Sequence, residues 1–132
     1  MVNNSNSVTF QKTKRFAVKI IRFANALMAD KKEYIISRQV LRSGTAIGAN
    51  TRESWNAQSK ADFISKLSIA LKEADETLYW LEILFESEMI TREEFNDLHA
   101  DLKEIIALLT SSIKTAKHNL ETEKTTNKQQ QK

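Results

Sequence analysis

Ile90-Thr91-Arg92-Glu93-Glu94-Phe95 decides how this chain is read. Thr91 as N-cap and Glu94 three residues on form a capping box, in which each side chain satisfies a backbone N–H the other's turn leaves open. Ile90 before the cap and Phe95 after it are placed as a hydrophobic staple. A helix must start there. It carries Leu98, Leu102, Ile105, Leu109, Ile113 and Ala116 onward at steps of three or four, the period of one apolar helical face.

Upstream, Phe63, Leu67, Ala70, Ala74, Leu78, Leu81 and Phe85 make a second stripe of the same kind. Ser59 can cap it, with Asp62 in the place of the capping-box Glu. Asn56–Lys60 breaks it from a helix that opens at Glu33 and bears Ile36, Val40 and Ile47. Asp30-Lys31-Lys32 links that helix to the first, whose core face is Phe16, Ile20, Phe23 and Leu27 from about Thr9. Four amphipathic helices with short links predict an all-α, antiparallel up-down-up-down four-helix bundle over residues 9–118. Residues 1–8 are expected to be a disordered N-terminus and 119–132 a disordered polar tail, since neither has apolar groups to bury.

Composition agrees. The chain has 132 residues, two glycines, no proline and no cysteine. Hairpins and βαβ loops would lack their turn residues, and disulfides, thiolate metal sites and thiol nucleophiles are excluded. The longest aliphatic run, Ile105-Ile106-Ala107-Leu108-Leu109, falls far short of the ~20 residues of a membrane span. No secretory h-region follows Met1, so a cytoplasmic location is expected. No Glu-x-x-His occurs to build a bundle metal site. With no nucleophile–base pair and no cofactor fingerprint, the chain is expected to be no enzyme and to need no cofactor.

Charge is where function is sought. The net charge is +3, but residues 1–32 hold seven Lys/Arg and one Asp, whereas 59–90 hold three Lys and seven acids. Lys12, Arg15, Lys19 and Arg22 fall on one stripe of the first helix, beside its core face. Arg38, Arg42 and Arg52 follow on the second. Such an array can neutralise phosphates without reading bases. The plain alternative is solvated or paired charge.

Both glycines, Gly44 and Gly48, share one face of the second helix, each at a cost of about 0.8–1 kcal/mol relative to alanine. Close approach of another helix, within or between chains, would offset that cost. Adjacent Tyr79 and Trp80 point to different faces, so one of them is available to an interface or to the bundle rim.

The blocks Gln39-Val40-Leu41-Arg42-Ser43-Gly44-Thr45-Ala46-Ile47-Gly48-Ala49-Asn50 and Asp62–Ala74, with Glu76-Thr77-Leu78-Tyr79-Trp80-Leu81-Glu82, resemble the bacterial four helix bundle family, also called 23S rRNA intervening sequence proteins. The resemblance implies the same bundle and a homo-oligomeric ring, a pentamer. It extends to the accessory proteins of diversity-generating retroelements, which bind nucleic acid and a reverse transcriptase. It assigns no catalytic residues. The resulting expectation is a non-enzymatic homo-oligomer that binds RNA or DNA with low sequence specificity through Lys12, Arg15, Lys19, Arg22, Arg38, Arg42 and Arg52. The alternative is an oligomeric scaffold or accessory protein whose basic surface serves subunit contacts.

Overall fold

The computed structural model describes residues 4–130, which form four helices: α1 (Asn4–Lys31), α2 (Ile35–Ser54), α3 (Lys60–Glu86) and α4 (Arg92–Gln130). Each packs on its neighbour in sequence, and α4 closes back on α1; α1–α3 and α2–α4 are diagonal. This is the expected antiparallel four-helix bundle. Phe16, Ile20 and Leu27 of α1, Val40 and Ile47 of α2, Phe63, Leu67, Ala70, Ala74, Leu81 and Leu84 of α3, and Leu98, Leu102, Ile105, Leu109 and Ile113 of α4 fill the centre. No described helix is long and apolar enough to cross a membrane.

The helix ends explain how the chain turns with almost no glycine. Thr91 and Glu94 exchange their hydrogen bonds as the capping box requires: the Glu94 N–H donates to Thr91 Oγ1 at 3.1 Å and the Thr91 N–H to Glu94 Oε1 at 3.0 Å. At α3 the Asp62 N–H donates to Ser59 Oγ, but Asp62 returns the bond to the Gln58 N–H rather than to Ser59. α3 ends in a Schellman motif, with Met89 N–H to Leu84 O and Glu88 N–H to Phe85 O. Glu88 takes the left-handed position there at φ 63°, and Lys32 does the same after α1 at φ 53°.

α2 is capped from outside its own first turn. The Glu33 carboxylate accepts N–H donations from Ile35, Ile36 and Ser37, and also the Ser37 hydroxyl. Burial alone would raise this carboxyl; the donors outweigh it and hold it below its ordinary value. Its contribution is therefore present above the ordinary carboxylate range and lost as pH falls through the lowered folded value. Glu33→Ala should cost about 1 kcal/mol at neutral pH, and urea melts across pH should show that deficit shrinking below about pH 4.

The glycines serve helix packing within the chain. A Cβ on Gly44 would stand 2.8 Å from Ile20 Cγ2, and one on Gly48 3.3 Å from Thr13 Oγ1 and 3.5 Å from the Thr13 backbone. Both are buried against α1, so they are not free to meet a second chain. Gly44→Ala should destabilise by about 1–2 kcal/mol through overpacking against the buried Ile20. Gly48→Ala should be nearly neutral, because the gain in helix propensity, about 0.8–1 kcal/mol, offsets its milder crowding. Urea midpoints of the two variants distinguish them.

Two boundaries differ from the sequence reading. α1 begins at Asn4 rather than near Thr9, because Thr9 and Phe10 are already buried, with Phe10 edge-on to Trp55 at 4.9 Å. α4 runs on to Gln130, where a disordered tail was expected from 119. Nothing in that stretch breaks a helix: the Thr122, Thr125 and Thr126 hydroxyls donate to carbonyls four residues back, and Lys60 pairs with Glu123. Residues 121–129 are exposed all round. The parts of the two terminal expectations that concern residues 1–3 and 131–132 lie outside the described residues.

Candidate nucleic-acid interface

The seven basic residues separate into three groups. Lys12, Lys19 and Arg42 are held inside the chain. The α1–α4 seam is the loosest of the four by backbone approach, and long side chains bridge it: Lys12 reaches Glu104 at 2.7 Å, and Lys19 reaches Asp101 at 2.6 Å and Asp97 at 2.9 Å. Burial would lower the Lys19 ammonium, but its hydrogen bonds and attraction to the two aspartates hold it above its ordinary value. Arg42 crosses from α2 to α3, where it pairs with Glu73 at 3.2 Å and with Glu76. Trp80 Nε1 donates to the same Glu76 carboxylate at 3.2 Å.

Arg38 and Arg52 are exposed and rest on aromatic rings. The Arg38 guanidinium lies 5.9 Å from the Tyr34 ring centroid. That of Arg52 lies 5.2 Å from Phe10 and 4.6 Å from Trp55. Trp55 Nε1 is buried there, without a hydrogen-bond partner among the described residues.

Arg15 and Arg22 form the third group. Both are exposed on the outer edge of α1, and among the described residues neither makes an ion pair. Each borders a shallow groove along the α1–α4 seam, Arg15 beside Asp101 and Glu104, and Arg22 beside Glu94 and Asp97. The acids nearest to them are already engaged in part by Lys12 and Lys19. The stripe seen in the sequence is thus real as geometry, but it lies opposite an acidic face of α4 that periodicity alone does not locate. Lys14, exposed on α1 and also unpaired among the described residues, lay off the stripe and was not singled out.

Of the interface candidates, Tyr79 is 56% exposed and Trp80 half-buried against the core, their rings edge-on at 5.1 Å. Gly44 and Gly48 lie beneath α1, as described above. Among the described residues no cluster of three or more His, Asp or Glu is placed to hold a metal ion; His99 instead stacks on Phe95 at 5.2 Å.

Lys19 is the residue on which the seam converges. Its pair contributes at neutral pH and is lost only as pH rises through the raised folded value. Lys19→Met should cost about 0.5–1 kcal/mol, as expected of a partly exposed pair. Urea melts at low salt and at about 1 M NaCl should show most of that difference screened away.

Comparison with known proteins places the chain. The family model described as 23S rRNA-intervening sequence protein matches residues 5–111. A crystal structure of a protein of unknown function from the S23 ribosomal protein family of Bacteroides thetaiotaomicron superposes with a TM-score of 0.82 at 52% identity, over 83% of this chain and 98% of that one. No curated protein matches.

Proposed function

The chain belongs to the 23S rRNA-intervening sequence protein family, and we propose that it acts there as a non-enzymatic, cytoplasmic, homo-oligomeric four-helix bundle that binds RNA or DNA with little sequence specificity. One observation carries this reading. Arg15 and Arg22 stand seven residues apart, two turns along one edge of α1, exposed and without an ion pair among the described residues. Lys12 and Lys19 between them occupy the neighbouring acids of α4. An exposed guanidinium presents a planar fork of donors that suits a phosphate.

Two such groups make a weak site on one chain. Repetition around an assembly, a pentamer by the family resemblance, would turn that edge into a belt with a useful number of phosphate contacts. The oligomer and the nucleic-acid reading therefore support each other. Lys12, Lys19 and Arg42, being paired in the chain, are assigned to the fold rather than to the ligand.

That same in-chain pairing favours one second reading, in which the protein is an oligomeric scaffold or accessory subunit for another protein such as a reverse transcriptase. Anisotropy of labelled ribosomal and unrelated RNA over a salt series separates the two. On the first reading, log affinity falls by about 0.7–0.9 per phosphate contact for each unit of log salt, alike for both RNAs. Arg15→Glu with Arg22→Glu should weaken binding at least tenfold while circular dichroism stays unchanged. Absence of binding at low salt by the unmodified protein would leave the scaffold.

A further inference from the structure

Lys12, Arg15, Lys19 and Arg22 climb α1 at steps of three, four and three, over about 15 Å of helix. Across the seam, Glu104, Asp101, Asp97 and Glu94 descend α4 with the same steps in the opposite direction. The two rows are therefore in register along antiparallel helices. Lys12 meets Glu104, and Lys19 meets Asp101 and Asp97. Arg15 shares a groove with Asp101 and Glu104, and Arg22 one with Glu94 and Asp97. Four cations thus face four carboxylates, and the seam as a whole carries no net charge.

A phosphate backbone laid along this edge meets Arg15 and Arg22, which stand about 60° further round α1 than Lys12 and Lys19. It also comes within a Debye length, about 8–10 Å, of the carboxylates beside them. Repulsion from the α4 row then offsets much of the attraction to the α1 row. The pairs themselves are open to exchange. Glu104 is 54% and Asp97 65% exposed, and ion pairs so placed in water are weak. Lys12 and Lys19 are about one-third exposed, so their ammonium groups lie at the surface rather than beneath it.

We propose that the α4 row is a built-in competitor for the α1 row. Asp97, Asp101 and Glu104 hold within the chain the places that phosphates take, and so limit the edge to the two contacts at Arg15 and Arg22. Lys12 and Lys19 are latent members of the same surface, released when those acids are neutralised. This rests on the nucleic-acid reading above and adds what sets its strength. Glu94 stays outside the competitor, because its carboxylate is engaged in the cap of α4.

The experiment measures anisotropy of labelled RNA over a salt series with variants of the full chain. Asp97→Asn with Asp101→Asn and Glu104→Gln should bind at least about tenfold more tightly than the unmodified protein at low salt. Its slope of log affinity on log salt should steepen by about 1.4–1.8, two further contacts at about 0.7–0.9 each. Asp75→Asn with Glu82→Gln and Glu86→Gln removes as much negative charge from exposed positions of α3, the helix diagonal to α1. That control should gain less than about threefold and keep its slope. Adding Lys12→Met and Lys19→Met to the α4 variant should return the slope to that of the unmodified protein. If the α4 variant gains no more than the control, the competitor is overturned and the nucleic-acid reading stands. Binding by the α4 variant alone upholds the competitor and overturns that reading for the unmodified chain. Absence of binding by both overturns both. Should the α4 variant lose helicity, Glu104→Gln alone frees Lys12 and should steepen the slope by about 0.7–0.9; an unchanged slope there overturns the competitor.

Discussion

α2 packs on α1 through Gly44 and Gly48, where α2 places no side chain between the helices, and much of the remaining geometry follows from it. With Ile20 filling the space a Gly44 Cβ would need, and Thr13 against Gly48, the two helices meet almost backbone to side chain. The opposite flank of α1 is correspondingly loose. There α1 and α4 are joined by the reach of Lys12 and Lys19 to Glu104, Asp97 and Asp101. Small residues thus set the tight seam and long charged ones the wide seam. Long side chains can span such a gap with their stems packed and their charged heads wet.

That asymmetry governs which charges remain for anything outside the chain. A stripe of four cations looks uniform in the sequence, but alternate members point slightly toward α4 or away from it. Lys12 and Lys19 are spent on the seam; Arg15 and Arg22 are not. On α2, Arg42 falls opposite Glu73 and Glu76, whereas Arg38 and Arg52 meet rings and no acids. Among the described residues the basic helices α1 and α2 therefore meet acids along two edges, α1 against the acidic first half of α4 and α2 against α3.

Some of this was legible in advance and some was not. Thr91 and Glu94 declared a helix start because a capping box is local, contained within four residues. Stripes such as Leu98 to Ile113 declared their core face because helical geometry alone carries them inward. The cap on α2 was harder to see: Glu33 lies before the helix and acts with its side chain on the N–H groups of Ile35, Ile36 and Ser37, a pattern outside the usual Ser, Thr, Asp and Asn signature. The turns at Lys32 and Glu88 were marked by no glycine at all. A disordered tail was expected at the end of α4 because that stretch has almost no apolar residues to pack; α4 continues as a helix past the point where packing stops.

Sequence by itself determined that this chain is four helices around one apolar core, because period, caps and the near absence of glycine and proline act within a few residues of one another. It also determined that the chain is basic at its start and acidic in its third quarter, and it carried the family's motifs. Which face each helix turns to which neighbour was decided only in three dimensions. Pairing of Lys19 with Asp97 and Asp101, or of Arg42 with Glu73 and Glu76, joins residues more than thirty positions apart. No local rule relates such residues until the helices have been laid side by side.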